Sequence, residues 1–321
     1  MIEIADVEAA AGRIAPHAVR TPVVSSTNLS RLAGAELLLK AEMLQRTGSF
    51  KFRGATNAIA ALDAEVRAAG IVAYSSGNHA QAISRAAGLH DVPATIVMPT
   101  DAPRVKRAAT EHWGASIIEY DRYTQDRKQI AEDFAASTGG TIIPPYDHHD
   151  VMAGQGTAAL ELFDDAGALD MLFVCVGGGG LLAGSATVAK ARNPNVIIVG
   201  VEPAAGNDHV LSRAAGERVE LAGVPDTIAD GQQTTAPGVL TWQVNDRLVD
   251  HFDEVTDDQL LHTMRLLFEH TKLVAEPSGA SALAAALDSP LIEDGMRVGV
   301  TLSGGNVDPR LFSTAISTAG H

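Results

Sequence analysis

Short, continuously apolar runs recur along the chain, separated by longer stretches with the three-to-four-residue period of amphipathic helices. The runs fall at residues 36–40, 71–74, 94–98, 116–119, 171–176, 196–201 and 298–302. A strand that is apolar on successive residues is buried on both faces. Parallel sheets covered by helices on each side impose that condition. Helix-period stretches lie at 53–69, 77–88, 103–113, 124–137, 151–163 and 257–270. The pattern predicts an α/β fold in which ligands bind beyond the carboxyl ends of strands, so the turns that follow strands are where chemistry is sought.

The length of 321 residues suits two such domains or one large α/β unit. Hydrophobic residues make up 46% and charged residues 20%, enough apolar material for a sizeable core. A net charge of -15 without a basic run disfavours nucleic-acid binding. The lone cysteine, Cys175, precludes an internal disulfide and fits a reducing compartment. The N-terminal residues lack the basic and apolar regions of a signal peptide. Residues 171–189 carry no charge, but four consecutive glycines interrupt them, which suits a turn better than a membrane helix. A soluble, cytoplasmic protein with no membrane partner is expected.

Lys51 stands between Phe50 and Phe52 in the run Gly48-Ser49-Phe50-Lys51-Phe52-Arg53-Gly54. Burying an ammonium beside aromatics is costly unless its pKa falls, and a neutral lysine amine is a nucleophile used in Schiff bases. The alternative is a lysine whose stem covers apolar surface while its head reaches water. After the run at 171–176 comes Gly177-Gly178-Gly179-Gly180, followed by a helix pattern from Leu181. Backbone amides at a helix start suit a phosphate. The same residues admit a dinucleotide reading, because Gly178, Gly180 and Ala183 match G-x-G-x-x-A and Glu202 ends the next strand. Tight helix–strand packing without a ligand is a third reading. The run at 71–74 ends in Ser75-Ser76-Gly77-Asn78-His79, and the run at 298–302 ends in Ser303-Gly304-Gly305-Asn306. A serine cap explains either turn alone, but not so many glycine-bearing polar turns together. His148-His149-Asp150 is a weak metal motif, since zinc sites prefer wider spacing. Glu202 and Asp208, with backbone carbonyls between them, would suit magnesium or calcium.

Taken in order, these motifs resemble those of the fold type II pyridoxal-phosphate enzymes, and among them the serine/threonine dehydratase family with its serine racemase and 3-hydroxyaspartate dehydratase branches. The resemblance runs from about Thr21 to Asn306. It implies a tryptophan synthase β-like arrangement of two domains, each a mostly parallel twisted sheet flanked by helices. Residues 1–69 and 148–321 would form a large cofactor-binding domain and residues 70–147 a small mobile one. Lys51 would be the Schiff-base lysine, with Phe50 beside it. Asn78 would meet the ring hydroxyl, Gly177, Gly178, Gly179, Gly180 and Leu181 the phosphate, and Ser303 the pyridine nitrogen, with Glu276 near the ring. Ser76 would be a second acid/base opposite Lys51. Ser75, Ser76, Asn78, His79 and Arg127 would face substrate, Arg127 meeting a carboxylate. Glu202, the Gly206 carbonyl and Asp208 would bind Mg2+, or Mn2+ or Ca2+ in its place. Tyr146 and Thr234 depart from the animal racemases, which carry other polar residues there. No extension follows Gly320-His321, so a regulatory domain is not expected.

The implied activity is that of a pyridoxal-phosphate-dependent dehydratase (ammonia-lyase). It would convert serine, threonine or 3-hydroxyaspartate to a 2-oxo acid and ammonia, and the enzyme would be a homodimer. Serine or aspartate-type racemisation through Lys51 and Ser76 is the alternative. An NAD-dependent Rossmann oxidoreductase is a remoter one.

Overall fold

The computed structural model describes residues 1–75, 77–102 and 104–317. The seven expected runs become strands within the set β1 (Val23–Val24), β2 (Glu36–Ala41), β3 (Ile71–Tyr74), β4 (Ala94–Pro99), β5 (Ser116–Tyr120), β6 (Thr141–Ile142), β7 (Met171–Cys175), β8 (Ile197–Pro203), β9 (His251–Val255) and β10 (Arg297–Leu302). Among the described residues they form two sheets, ordered β1-β2-β10-β7-β8-β9 and β5-β4-β3-β6. Every pairing is parallel except β1 with β2. Val300 of β10 stands opposite Leu39 on one side and Phe173 on the other, so β10 lies at the centre of the larger sheet. The fold is α/β, with mostly parallel sheets flanked by helices.

Three strands fall outside the expected runs, each for a physical reason. β1 and β6 have only two residues, too few for a period. β9 reads His-Phe-Asp-Glu-Val and forms an edge, where charged side chains discourage further pairing. The stretch at 53–69 is also not one helix. It divides into Lys51–Ala61 and Ala64–Ala68, because Leu62 and Asp63 adopt extended ψ values of 143° and 147°.

Helix Lys51–Ala61 is anchored by a buried ion cluster. Arg53 Nε and Nη2 donate to the two Glu42 oxygens at 2.7 and 2.8 Å. Its Nη1 and Nη2 each donate to Glu161 at 2.8 Å. Lys40 donates to Glu161 and to the Thr21 carbonyl, both at 2.6 Å. The side chains of Arg53, Lys40 and Glu42 are fully buried. Two bases therefore face two acids, and nearly every donor is used, which is the condition for such a cluster to persist out of water.

Glycines bring the neighbouring helices into contact. A Cβ on Gly154 would lie 2.7 Å from Gly54 Cα, and one on Gly184 would lie 2.5 Å from Gly156 N. Helix Lys51–Ala61 thus packs backbone to backbone on His149–Ala166, which packs likewise on Gly180–Arg192. The chain of contacts fixes where Lys51 stands relative to the glycine turn. Replacing Arg53 by Met leaves Glu42 and Glu161 without their common partner. We expect a loss of about 3–5 kcal/mol in urea unfolding. A change below 1 kcal/mol would show that the cluster is solvated.

Candidate active site

Lys51 opens its helix directly after a backbone splice between two turns. Phe50 N donates to the Ser303 carbonyl at 3.0 Å, and Gly305 N donates to the Gly48 carbonyl at 2.9 Å. The lysine turn is therefore stitched to the turn after β10. Glu276 N donates to the Gly304 carbonyl at 3.1 Å, which adds the segment before helix Pro277–Asp288. A cavity of about 330 Å³ opens beside this junction. Its walls include Phe50, Lys51, Ser75, Asn78, His79, Arg127, Gly177, Gly178, Gly179, Gly180, Leu181, Glu276 and Ser303. Turns that lie far apart in sequence thus meet on one space. Ser76 lies outside the described residues.

The cavity shifts its ionisable groups towards neutral forms. Burial lowers the Lys51 amine to about 8, only partly offset by the negative charge of nearby groups including Glu276. Lys51 Nζ donates to the Pro145 carbonyl at 2.8 Å. Burial, reinforced by the Lys51 charge, lowers His79 to about 3. His79 is therefore neutral, and its Nε2 donates to the Ile143 carbonyl at 2.9 Å. Burial raises Glu276 to about 7, with Asp230 adding to the shift. Asn78 Nδ2 donates to Glu276 Oε1 at 2.6 Å, and Asn306 Nδ2 donates to Asn78 Oδ1 at 2.8 Å. The orientation of Asn78 is thereby set from both ends.

The glycine turn is held from behind by groups absent from the sequence reading. Thr241 Oγ1 donates to the Gly178 carbonyl at 2.6 Å, and Asn245 Nδ2 donates to the Gly179 carbonyl at 3.3 Å. Thr241 and Asn245 are one turn apart on helix Val239–Leu248. Asp147 accepts from the Val239, Leu240 and Thr241 amides at the start of that helix. Helical spacing places Thr241 and Asn245 on the same buried face as Trp242 and Val244, and that polar i, i+4 pair is the local signal for them. With their carbonyls taken, the amides of Gly178 to Leu181 donate no hydrogen bond within the protein among the described residues. Gly179 has φ +97°, and a Cβ on Gly178 would overlap the Tyr146 ring. Thr234 Oγ1, on the cavity wall, is buried without a partner. The result is a ring of free donors facing a buried amine, suited to an anionic ester with a carbonyl function.

Other expected positions lie elsewhere. His148 caps helix His149–Ala166, accepting from Asp150 N, and His149 lies between Asp6 and Asp150. Neither lines the cavity. Glu202 does not line the cavity beside the glycine turn, and its oxygens accept from the His209 and Val210 amides, each at 3.0 Å. Ligand atoms of Glu202, Asp208 and His209 lie within 4.8 Å of one another, and all three residues are buried. His209 is the unforeseen member. Both Asp208 carboxylate oxygens are buried without a hydrogen-bond donor. Buried Gly206 packs against Pro225, and a Cβ there would come within 2.9 Å of that ring. Among the described residues, no helix is long and apolar enough to cross a membrane.

Known proteins share this architecture. The family described as pyridoxal-phosphate dependent enzyme matches residues 14–304. The chain is 49% identical over 312 residues to L-threo-3-hydroxyaspartate ammonia-lyase of Saccharomyces cerevisiae, covering 97% of this chain and 95% of that protein. It is 45% identical over 312 residues to serine racemase of Schizosaccharomyces pombe, covering 97% and 96%. The solved structure of maize serine racemase superposes with a TM-score of 0.93 at 39% identity, covering 98% of this chain and 96% of that one.

The depressed pKa of Lys51 predicts a pH-dependent stability in cofactor-free protein. Its ordinary value is 10.5 and its folded value about 8, so between these pH values the unfolded chain binds the extra proton. Stability therefore rises with pH across that window. Lys51→Met should be more stable than the parent by about 3 kcal/mol at pH 7, the gap closing by pH 10.5. Urea titrations at the two pH values measure this, and a constant gap would contradict a buried amine.

Proposed function

Because the chain belongs to the family of pyridoxal-phosphate-dependent enzymes, we propose that it is an ammonia-lyase acting on an L-β-hydroxy amino acid, with L-threo-3-hydroxyaspartate the preferred substrate. The reaction would give a 2-oxo acid and ammonia, oxaloacetate in that case. The observation that carries the reading is the buried amine of Lys51 opposite free amides of the glycine turn. Kinship to the yeast ammonia-lyase over nearly the whole chain supports the substrate class.

The residues fit the cofactor. Unpaired amides from Gly178 to Leu181 and the unpaired hydroxyl of Thr234 leave donors that a phosphate would satisfy, and the absence of a side chain at Gly178 lets the turn pack against the Tyr146 ring. In this reading Gly177 to Leu181 would hold the phosphate, Lys51 would be the point of covalent attachment beside Phe50, and Asn78, Glu276 and Ser303 would hold the ring. When bound, pyridoxal phosphate supplies the electron sink that acidifies the substrate's α C–H bond. Lys51 Nζ would take the α-proton, its pKa near 8 keeping a useful neutral fraction at physiological pH. The protonated amine would then stand ready to give that proton to the departing β-hydroxyl. Neutral His79 leaves Lys51 without a competing base on that wall. Ser75, Asn78, His79 and Arg127 would orient substrate.

Other parts belong to the same proposal. A large body of residues 1–69 and 148–321 and a small mobile one of residues 70–147 would close on substrate; the four-stranded sheet draws all its strands from the latter. Glu202, the Gly206 carbonyl and Asp208 would hold Mg2+ or a similar cation, a reading supported by the buried Asp208 oxygens, which accept no hydrogen bond although His209 Nδ1 lies 3.7 Å from one of them. A cytoplasmic homodimer completes it, and the free, buried Cys175 suits a reducing compartment. Racemisation of serine is the second reading, favoured by kinship to the fission-yeast racemase, with Ser76 as the opposing acid/base.

Release of 2-oxo acid should be faster from L-threo-3-hydroxyaspartate than from L-serine or L-threonine. Lys51→Ala should lower it by about 10³-fold or more. No oxo acid from any of the three by cofactor-loaded protein would sink the lyase reading. D-serine formed from L-serine, and lost in Ser76→Ala, would favour racemisation instead.

Chelator-treated protein should regain thermal stability on addition of Mg2+ or Mn2+. At a cation concentration 100 times Kd the gain is about 2.7 kcal/mol. Asp208→Asn should remove this response, and an unchanged response in that variant would place the cation elsewhere.

A further inference from the structure

The cavity carries more cations than one carboxylate needs. Besides Lys51, its walls include Lys106, Arg122 and Arg127, set against the acids Asp230 and Glu276. In a chain of net charge -15, this concentration is local and not a reflection of composition. The cofactor's phosphate does not account for it, since backbone amides at a helix start can hold that group without a cation. Arg122 is already paired with Asp101 at 2.7 Å, a residue outside the cavity wall. Arg127 lies over the Tyr74 ring, its guanidinium carbon 5.6 Å from the centroid.

Lys106 is placed differently. It lies on helix Arg104–His112, and a methyl group added at Gly77 would sit 3.8 Å from its Nζ. The amine thus stands beside the turn that leads into Asn78. Its partner Asp230 comes from the turn Asp230–Gln232, in the segment joined to the larger sheet. Asp230 is much more exposed than Lys106, at 44% against 19%. An ion pair with one solvated member is readily exchanged, because water takes up the released carboxylate at little cost.

We propose that Lys106 determines specificity for a dicarboxylic substrate by leaving Asp230 to pair with the substrate's distal carboxylate. The proposal rests on the reading of the cavity as an amino-acid site. A substrate without that carboxylate leaves the Lys106–Asp230 pair in place and gains nothing from it. Asp230 is then a competitor for Lys106, which gives the two residues opposite effects on dicarboxylate affinity.

The test compares succinate with butyrate, two four-carbon ligands that differ by one carboxylate, by calorimetric titration of the cofactor-loaded protein. The parent should prefer succinate. Lys106→Met should reduce that preference by about tenfold or more, and Lys106→Arg should retain most of it. Asp230→Asn should strengthen succinate binding about threefold by removing the competing carboxylate. The kinetic counterpart is a matching fall in the kcat/KM ratio of L-threo-3-hydroxyaspartate over L-serine in Lys106→Met, expressed mainly in KM. A parent without preference for succinate would overturn the proposal. An unchanged ratio in Lys106→Met, or equal weakening of both ligands, would overturn it as well. The binding measurement needs no turnover, so absence of elimination would count against the proposed reaction and not against the role of Lys106.

Discussion

The bidentate hold of Glu42 and Glu161 on Arg53 is the constraint from which the rest of the site follows. Arg53 is two residues beyond Lys51, within the first turn of the same helix. Glu42 follows β2, Lys40 belongs to β2, and Glu161 belongs to helix His149–Ala166. One guanidinium therefore ties the lysine helix to the larger sheet and to the helix that also supports the glycine turn. A buried charge set of this kind tolerates little displacement, because any lost partner leaves an uncompensated charge out of water. The glycine contacts between the three helices convert that tether into fixed backbone distances.

The same exclusion of water prepares the cavity. Burial pushes each group towards its neutral form: Lys51 to about 8, Glu276 to about 7 and His79 to about 3. The shifts run in opposite directions for acids and bases, as desolvation requires. An amine that can shed its proton near neutral pH is placed beside a histidine that cannot accept one. Shifted acids and bases set side by side in a cleft are the arrangement that proton transfer requires.

Much of this was legible locally. The strands β2, β3, β4, β7, β8 and β10 announce themselves by composition, since burial on both faces admits few polar residues, whereas β5 is a half-exposed edge strand carried by its Ile-Ile pair. The turns that line the cavity carry glycine, serine and asparagine in short runs, which local chemistry flags. The short strands β1 and β6 and the charged edge strand β9 leave no mark in the sequence pattern, because pairing with a neighbour defines them. The break at Leu62–Asp63 likewise shows in backbone angles but not in the hydrophobic period.

What the sequence by itself determined is the alternation of strand and helix and the identity of the turns bearing reactive groups. Those depend on neighbours in the chain. Only the tertiary structure decided that Thr241 and Asn245 turn the glycine carbonyls away and free their amides. It also decided that His209 joins Glu202 and Asp208, and that Lys106 reaches Asp230 from 124 residues away. A hydrogen bond or ion pair between distant segments leaves no local trace, because each residue alone looks like an ordinary polar side chain. Lys51 shows the division most clearly. Its flanking aromatics suit a buried or a snorkelling lysine equally, and the surrounding walls, assembled from four remote turns, lower its pKa.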